Sequence, residues 1–230
     1  TKWNAIDGPN FFDAARYFYF GVANSWYDNF RITAVNIMDD AVPTTDVSYI
    51  SKEVYHDMET YGGFYERVEG KAHIVNSHDK KYGNVMEITS GGQRIGFTDS
   101  NIITKDKKYY ISFDAKTTNN TSRYMWLMVC TTITTTSPRF IISDTTHDAT
   151  PKAGNPDDCK GTTSISVAEN GNAFRYYIDD KEVHRDDFKL SGDWDKYTLV
   201  MDTSDPDLIA KSNANSGEIK NLLSGEAKYF

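Results

Sequence analysis

An antiparallel β-sandwich is the fold class this sequence predicts, and three features carry that reading. From Gly62 onward the chain breaks into short runs of alternating apolar and polar residues, among them "KKYYISFDAKTT", "AFRYYIDDKEV" and "WDKYTLVMDTS". Gly-Gly, Asn-Asn, Ser-Pro, Asn-Gly and Ser-Gly pairs stand between the runs and supply the backbone conformations that tight turns need. Aromatic residues make up 13% of the 230 positions, enough large side chains to fill a core between two sheets.

The first sixty residues read differently. In "NFFDAARYFYFG", Phe11, Phe12, Ala15 and Phe18 recur at roughly helical spacing, and "YFYFGV" and "WYDNFRITAVNI" then predict two strands around the turn-prone "ANS". "MDDAVPTTDVS" predicts a loop or linker. "YISKEVYHDMETYG" follows as a short helix with Ile50, Val54 and Met58 on one side. These features put a boundary within residues 40–62. Residues 1–61 are then an N-terminal extension of mixed structure or the remnant of a preceding module, and residues 62–230 the sandwich domain.

Within the sandwich domain, strand parity sorts side chains. Tyr109, Ile111, Phe113 and Ala115 fall on one face, which predicts core, and Tyr110, Ser112, Asp114 and Lys116 fall on the solvent face. "RYMWLMVC" breaks the rule, because Met125, Leu127 and Val129 alternate with Tyr124, Trp126, Met128 and Cys130. Either that strand is covered on both sides or its second face carries an aromatic platform. The Thr-rich "CTTITTTS" suits an extended edge, since β-branched side chains fit the pleat.

Composition excludes some functions. The formal net charge is -8, with acidic and basic residues interspersed and no cationic stripe, so phosphate-driven nucleic-acid binding is not expected. An anionic membrane surface would repel the chain, and no run approaches the roughly 18 apolar residues of a membrane-spanning helix. The opening "TKWNAIDGPN" lacks the basic and then apolar pattern of a secretion signal, and a processed or excised chain is expected. Cys130, in a predicted strand, and Cys159, in a Pro/Asp/Gly loop, either form a disulfide or stay free thiols; their spacing does not suggest a metal site.

No reaction is written in the residues. The adjacent carboxylates Asp39 and Asp40, Asp157 and Asp158, Asp179 and Asp180, and Asp186 and Asp187 would diverge on a strand or sit as surface charge in a loop, and glycosidase chemistry needs two carboxyls across a cleft. The five histidines (His56, His73, His78, His147, His184) show no metal or nucleophile motif. Oxygen-rich loops, "DTTHDATPKAGNPDD" and "DTSDPD", offer ligands of the kind Ca²⁺ prefers, although neither follows an EF-hand pattern. Among the aromatics, Tyr110, Tyr124, Trp126 and Tyr177 are candidates for a ligand platform outside the core. Trp194, in "SGDWDKY", reads as a core anchor.

"YGNVMEITSGGQRIGFTD", then "KDKKYYISFDAKTTNNTSRYMWLMV", and later "LSGDWDKYTLVMDTS" resemble the jelly-roll carbohydrate-binding modules of secreted glycosidases and of bacteriophage tail-fibre and other virion-surface proteins. In those modules a strand ending in a Gly/Arg pair leads to a "YxxSFxAK" strand, and a "GxW" turn opens a late strand. The match covers roughly residues 62–205. It implies an antiparallel jelly-roll sandwich, structural calcium, and glycan binding on a concave face or at loop tips, with Arg94, Tyr110, Tyr124 and Trp126 as ligand contacts. Such modules close with a strand like "YIDNVxL", whereas this chain stops at "GEAKYF", short of one, and "SWYDNFRITAV" near the start has that character. A permuted fold, a segment of a longer fibre polypeptide, or a preceding module would each produce this order.

The expected function is therefore non-catalytic glycan binding by an extracellular or virion-surface protein, with Arg94, Tyr110, Tyr124, Trp126 and Tyr177 as the binding residues. Two alternatives stand beside it. One is a structural subunit of a fibre, capsid or surface assembly, forming a homo-oligomer or meeting other subunits; the other is a polysaccharide-degrading enzyme on a concanavalin-like sandwich.

Overall fold

Alternation puts every second side chain of a run on one face, and in the computed structural model two such faces close on each other. The structure describes residues 17–36, 50–66, 69–89, 95–97, 102–118, 123–124, 126–130, 139–141, 162–164, 173–206 and 208. The described chain is almost all β, an antiparallel sandwich of an eight-stranded and a six-stranded sheet with a small two-stranded ribbon.

The smaller sheet is built around β1 (Tyr17–Gly21), which lies between β7 (Ile95–Phe97) and β10 (Trp126–Cys130). Beyond β7 lies β4 (Phe64–Glu66); beyond β10 come β11 (Arg139–Ile141) and β12 (Thr162–Ser164), the last two parallel. The larger sheet is centred on β2 (Ser25–Asn36) and β8 (Lys107–Thr117). From β8 it continues through β16 (Asp195–Asp202) and β13 (Phe174–Ile178) to β14 (Lys181–Val183). On the other side, the start of β2 pairs with β6 (Asn84–Ile88), followed by β5 (Ala72–Asn76), and the rest of β2 pairs with β3 (Ile50–His56). β9 (Arg123–Tyr124) and β15 (Lys189–Leu190) form the ribbon.

One expectation for the first sixty residues needs correction. In the segment read as a helix with Ile50, Val54 and Met58 on one side, Met58 is buried in a loop and Ile50–His56 before it form strand β3, with Val54 paired opposite Ile32. Its β-branched residues and tyrosine suit the pleated edge that β2 offers, and pairing outweighs the weak helical periodicity. β2 is hydrogen-bonded between β8 and β6, and β1 between β10 and β7, so Tyr17–Gly21 and Ser25–Asn36 supply an inner strand of each sheet, whereas β3 pairs, among the described strands, with β2 alone. The helical spacing noted at Phe11 to Ala15 lies outside the described residues.

Parity on β8 holds. Tyr109, Ile111, Phe113 and Ala115 are buried, whereas Tyr110, Ser112, Asp114 and Lys116 are half-buried rather than fully wet, because β2 and β16 flank them. On β10, Leu127 and Val129 point into the core as alternation requires. An aromatic column joins the two sheets: Phe30 of β2 stacks on Phe113 at 4.9 Å on its own sheet and on Phe20 of β1 at 4.4 Å across the interface, while Phe97 of β7 lies 5.2 Å away. Burial of these rings supplies the main driving force for closing the sandwich.

Turn residues sit where sterics demand them. The β13–β14 hairpin closes with Asp179 and Asp180, both at positive φ (49° and 62°), the mirror-image turn that matches strand twist. Asp179 Oδ1 also accepts the Lys196 backbone N–H at 2.9 Å. This adjacent carboxylate pair is turn chemistry. Asp179→Ala is expected to cost about 1–2 kcal/mol, since alanine resists the left-handed conformation and offers no acceptor; a urea midpoint within error of wild type would refute this.

Candidate functional site

Alternation on β2 fails at one place, and the failure builds a polar site. Tyr27 and Phe30 both point inward although they are three residues apart, so the strand carries one residue too many. The register shows it: Asp28 pairs with Asp114 and Arg31 with Ser112, which leaves Asn29 and Phe30 opposite Phe113 alone. Asn29 takes φ 49° to make this bulge, a conformation asparagine tolerates better than most residues. The bulge brings Asp28 and Asn29 together beside Asp114, at the outer side of the eight-stranded sheet.

Asn29 is fully engaged there. Its Nδ2 donates to Asp28 Oδ2 at 3.2 Å and to Asp114 Oδ2 at 2.9 Å, and its Oδ1 accepts the Tyr55 hydroxyl at 3.0 Å. Asp28 Oδ1 also accepts the Asn29 backbone N–H at 2.8 Å. Burial, with Asp114, Glu59 and Asp57 adding repulsion and the Asn29 N–H partly offsetting it, pushes the Asp28 carboxyl up to about 6. Above this network lies Tyr55, 47% exposed, with the Arg31 guanidinium carbon 4.5 Å from its ring centre and Arg31 paired to Glu53 at 2.8 Å.

Two further aromatic groups share this face. Tyr82 stacks on Trp194 at 4.2 Å, with the Lys116 ammonium 5.0 Å from the Trp194 ring centre and 5.8 Å from that of Trp26. Trp194 is thus half-buried in a cation–aromatic stack, not the core anchor that its sequence context suggested; its turn leaves it outside the space between the sheets. Toward β13 stand Tyr110 and Tyr177. Burial raises the Tyr110 phenol above its ordinary value, Tyr177 adds to the rise and Arg175 opposes it. Arg175 is clamped by Glu182 at 2.9 and 2.5 Å, its guanidinium carbon 5.8 Å from the centre of the Tyr177 ring.

Of the five predicted binding residues, Tyr110 and Tyr177 therefore lie on one face. Trp126 belongs to the other sheet, opposite Gly21, and Tyr124 to the ribbon, paired with Lys189. Those four residues do not share one sheet. Arg94 and Cys159 lie outside the described residues, as do the side chains of Tyr124, Trp126 and Cys130. Asp28, Asn29, Arg31 and Tyr55 were missed, although the spacing of inward aromatics in "YDNF" signals the bulge.

His56 serves the architecture of the loop after β3. Its Nδ1 accepts the Met58 N–H at 3.0 Å, so Nε2 carries the proton donated to the Gly62 carbonyl at 2.9 Å. In the "DTSDPD" loop, whose Asp207 lies outside the described residues, the carboxylates cap nearby backbone and hydroxyl groups. Asp202 Oδ1 accepts from Ser204 N and Oγ, and Asp205 Oδ1 from the Leu208 N–H. Among the described residues no group of three or more His, Cys, Asp or Glu is placed to hold a metal ion, and the loop at residues 144–158 lies outside them.

No protein-family model matches the chain, and no curated protein or solved structure matches it.

Proposed function

We propose that the outer face of the eight-stranded sheet is a glycan-binding face and that the protein is a non-catalytic, extracellular or virion-surface binding module. The observation that carries this reading is the setting of Tyr55: a half-exposed ring next to Arg31 and above an amide flanked by two carboxylates. A sugar ring has an apolar face of C–H groups and a rim of hydroxyls. The flat phenol suits the first, and carboxylate, amide and guanidinium groups suit the second. Tyr110 and Tyr177 extend the same face toward β13, which suits a chain of sugar units better than a single one.

The test is a glycan array probed with the purified chain, with calcium and again with a chelator, alongside light scattering. Binding to a defined sugar class is expected, weakened about tenfold by Tyr55→Ala, roughly 1.4 kcal/mol. Tyr55 is 47% exposed, so that variant is expected to keep its fold, which circular dichroism checks. Silence on the array together with an oligomer in scattering would move the assignment to a structural subunit, and turnover of a bound polymer would overturn the non-catalytic part.

A further inference from the structure

We infer that Asp28 and Asp114 form a one-proton switch on the outer face of the sandwich, the pair carrying two negative charges above neutral pH and one in mild acid. The geometry is a conflict built into the fold. The two aspartates are directly opposed in register on neighbouring strands, where like charges repel, and Asp28 is only 3% exposed. One amide, that of Asn29, bridges them, and its two N–H groups are divided between the two carboxylates.

The surroundings add to the negative charge around Asp28. From the loop after β3, Asp57 and Glu59 add negative charge, and Glu59 is held by Asn84 of β6 at 3.0 Å. β3 itself contributes the Tyr55 phenol and Glu53, and β6 contributes Glu87 opposite Trp26. The nearby cations each hold a partner of their own. On β2, Arg31 pairs with Glu53; on β16, Lys196 is opposite Asp114 in register but its ammonium is at Asp180, 2.9 Å away. Lys116 of β8 lies over the tryptophan rings, and Lys81, in the β5–β6 turn, donates to the Tyr82 hydroxyl at 2.7 Å, so the attraction between its ammonium and Asp114 acts without a direct ion pair. Burial and repulsion together favour a proton on Asp28, in line with the rise of that carboxyl to about 6. The charge on this face thus changes by one unit across mildly acidic pH, so an anionic ligand or partner meets less repulsion in acid than at neutrality.

The test follows the carboxyl carbons of Asp28 and Asp114 by NMR between pH 3 and 9 in wild type, Asp114→Asn and Asn29→Gly. The glycine variant removes the bridge while accepting the positive φ of the bulge. The wild-type Asp28 signal is expected to titrate near 6 rather than near 4. Asp114→Asn should lower the Asp28 midpoint, and Asn29→Gly should raise it, because each carboxylate loses a donor. A wild-type midpoint near 4, or one unmoved by Asp114→Asn in a folded protein, overturns the inference. Should Asp114→Asn fail to fold, an Asn29→Gly midpoint at or below that of wild type overturns it as well.

Discussion

Phe30→Ala lowers the unfolding free energy by about 3–5 kcal/mol, the range for emptying a buried phenylalanine site. The reason lies in where the ring sits. Phe30 is fully buried and touches rings from both sheets, stacking on Phe113 within its own sheet and meeting Phe20 and Phe97 across the interface. Losing it removes apolar burial and leaves a cavity that neither sheet can close alone, because the bulge at Asn29 holds the backbone in place. For a chain of this size each kcal/mol lowers Tm by roughly 2–4 °C, so thermal unfolding followed by circular dichroism reads the effect directly. Tyr61→Ala serves as the control: that side chain is 44% exposed, and a change within about 0.5 kcal/mol is expected. Equal losses in the two variants would show that Phe30 is not the joint between the sheets.

Asp28 makes stability depend on pH in the direction opposite to that of a salt-bridged aspartate. Its carboxyl is raised from 3.8 to about 6 in the folded protein, so the native state holds a proton more tightly than the unfolded chain. The associated stabilisation is fully present below the unfolded value and is lost as pH rises through the folded one. Two pH units of difference correspond to about 2–3 kcal/mol. Asp28→Asn has no charge to lose and keeps an oxygen for the Asn29 backbone N–H. The variant is therefore expected to be up to about 2 kcal/mol more stable than wild type at pH 8, with the difference vanishing toward pH 4. Urea unfolding at pH 4, 6 and 8 decides this. A difference that is constant across the three would mean that Asp28 folds as an ordinary carboxylate.

Much of the site was legible once the break in alternation on β2 is taken at face value. "YDNF" places two inward aromatics three apart, and a strand has no way to do that except by carrying an extra residue. The outward placement of Tyr110 and Asp114 followed from parity on β8, and that of Tyr177 from strand parity on β13. Tyr55 was hidden because a short segment of mixed character fits a helix or a strand, and the choice was made by β2 offering its edge. Trp126 shows the converse limit: its strand was visible, but nothing local said that it would pair with β1 in the opposite sheet from Tyr110.

By itself the sequence determined the all-β class, the positions of most strands, and the face on which each β8 side chain lies. Those properties are local, set by the two-residue repeat of extended backbone and by the residues that tolerate turn conformations. Only the tertiary structure decided that β1 and β2 run through the middle of the two sheets, and that Asp28 and Asp114 meet although they are far apart in the chain. Strand pairing is selected by the apolar area that whole sheets bury together, a sum over partners from every part of the chain, and no single segment carries that sum.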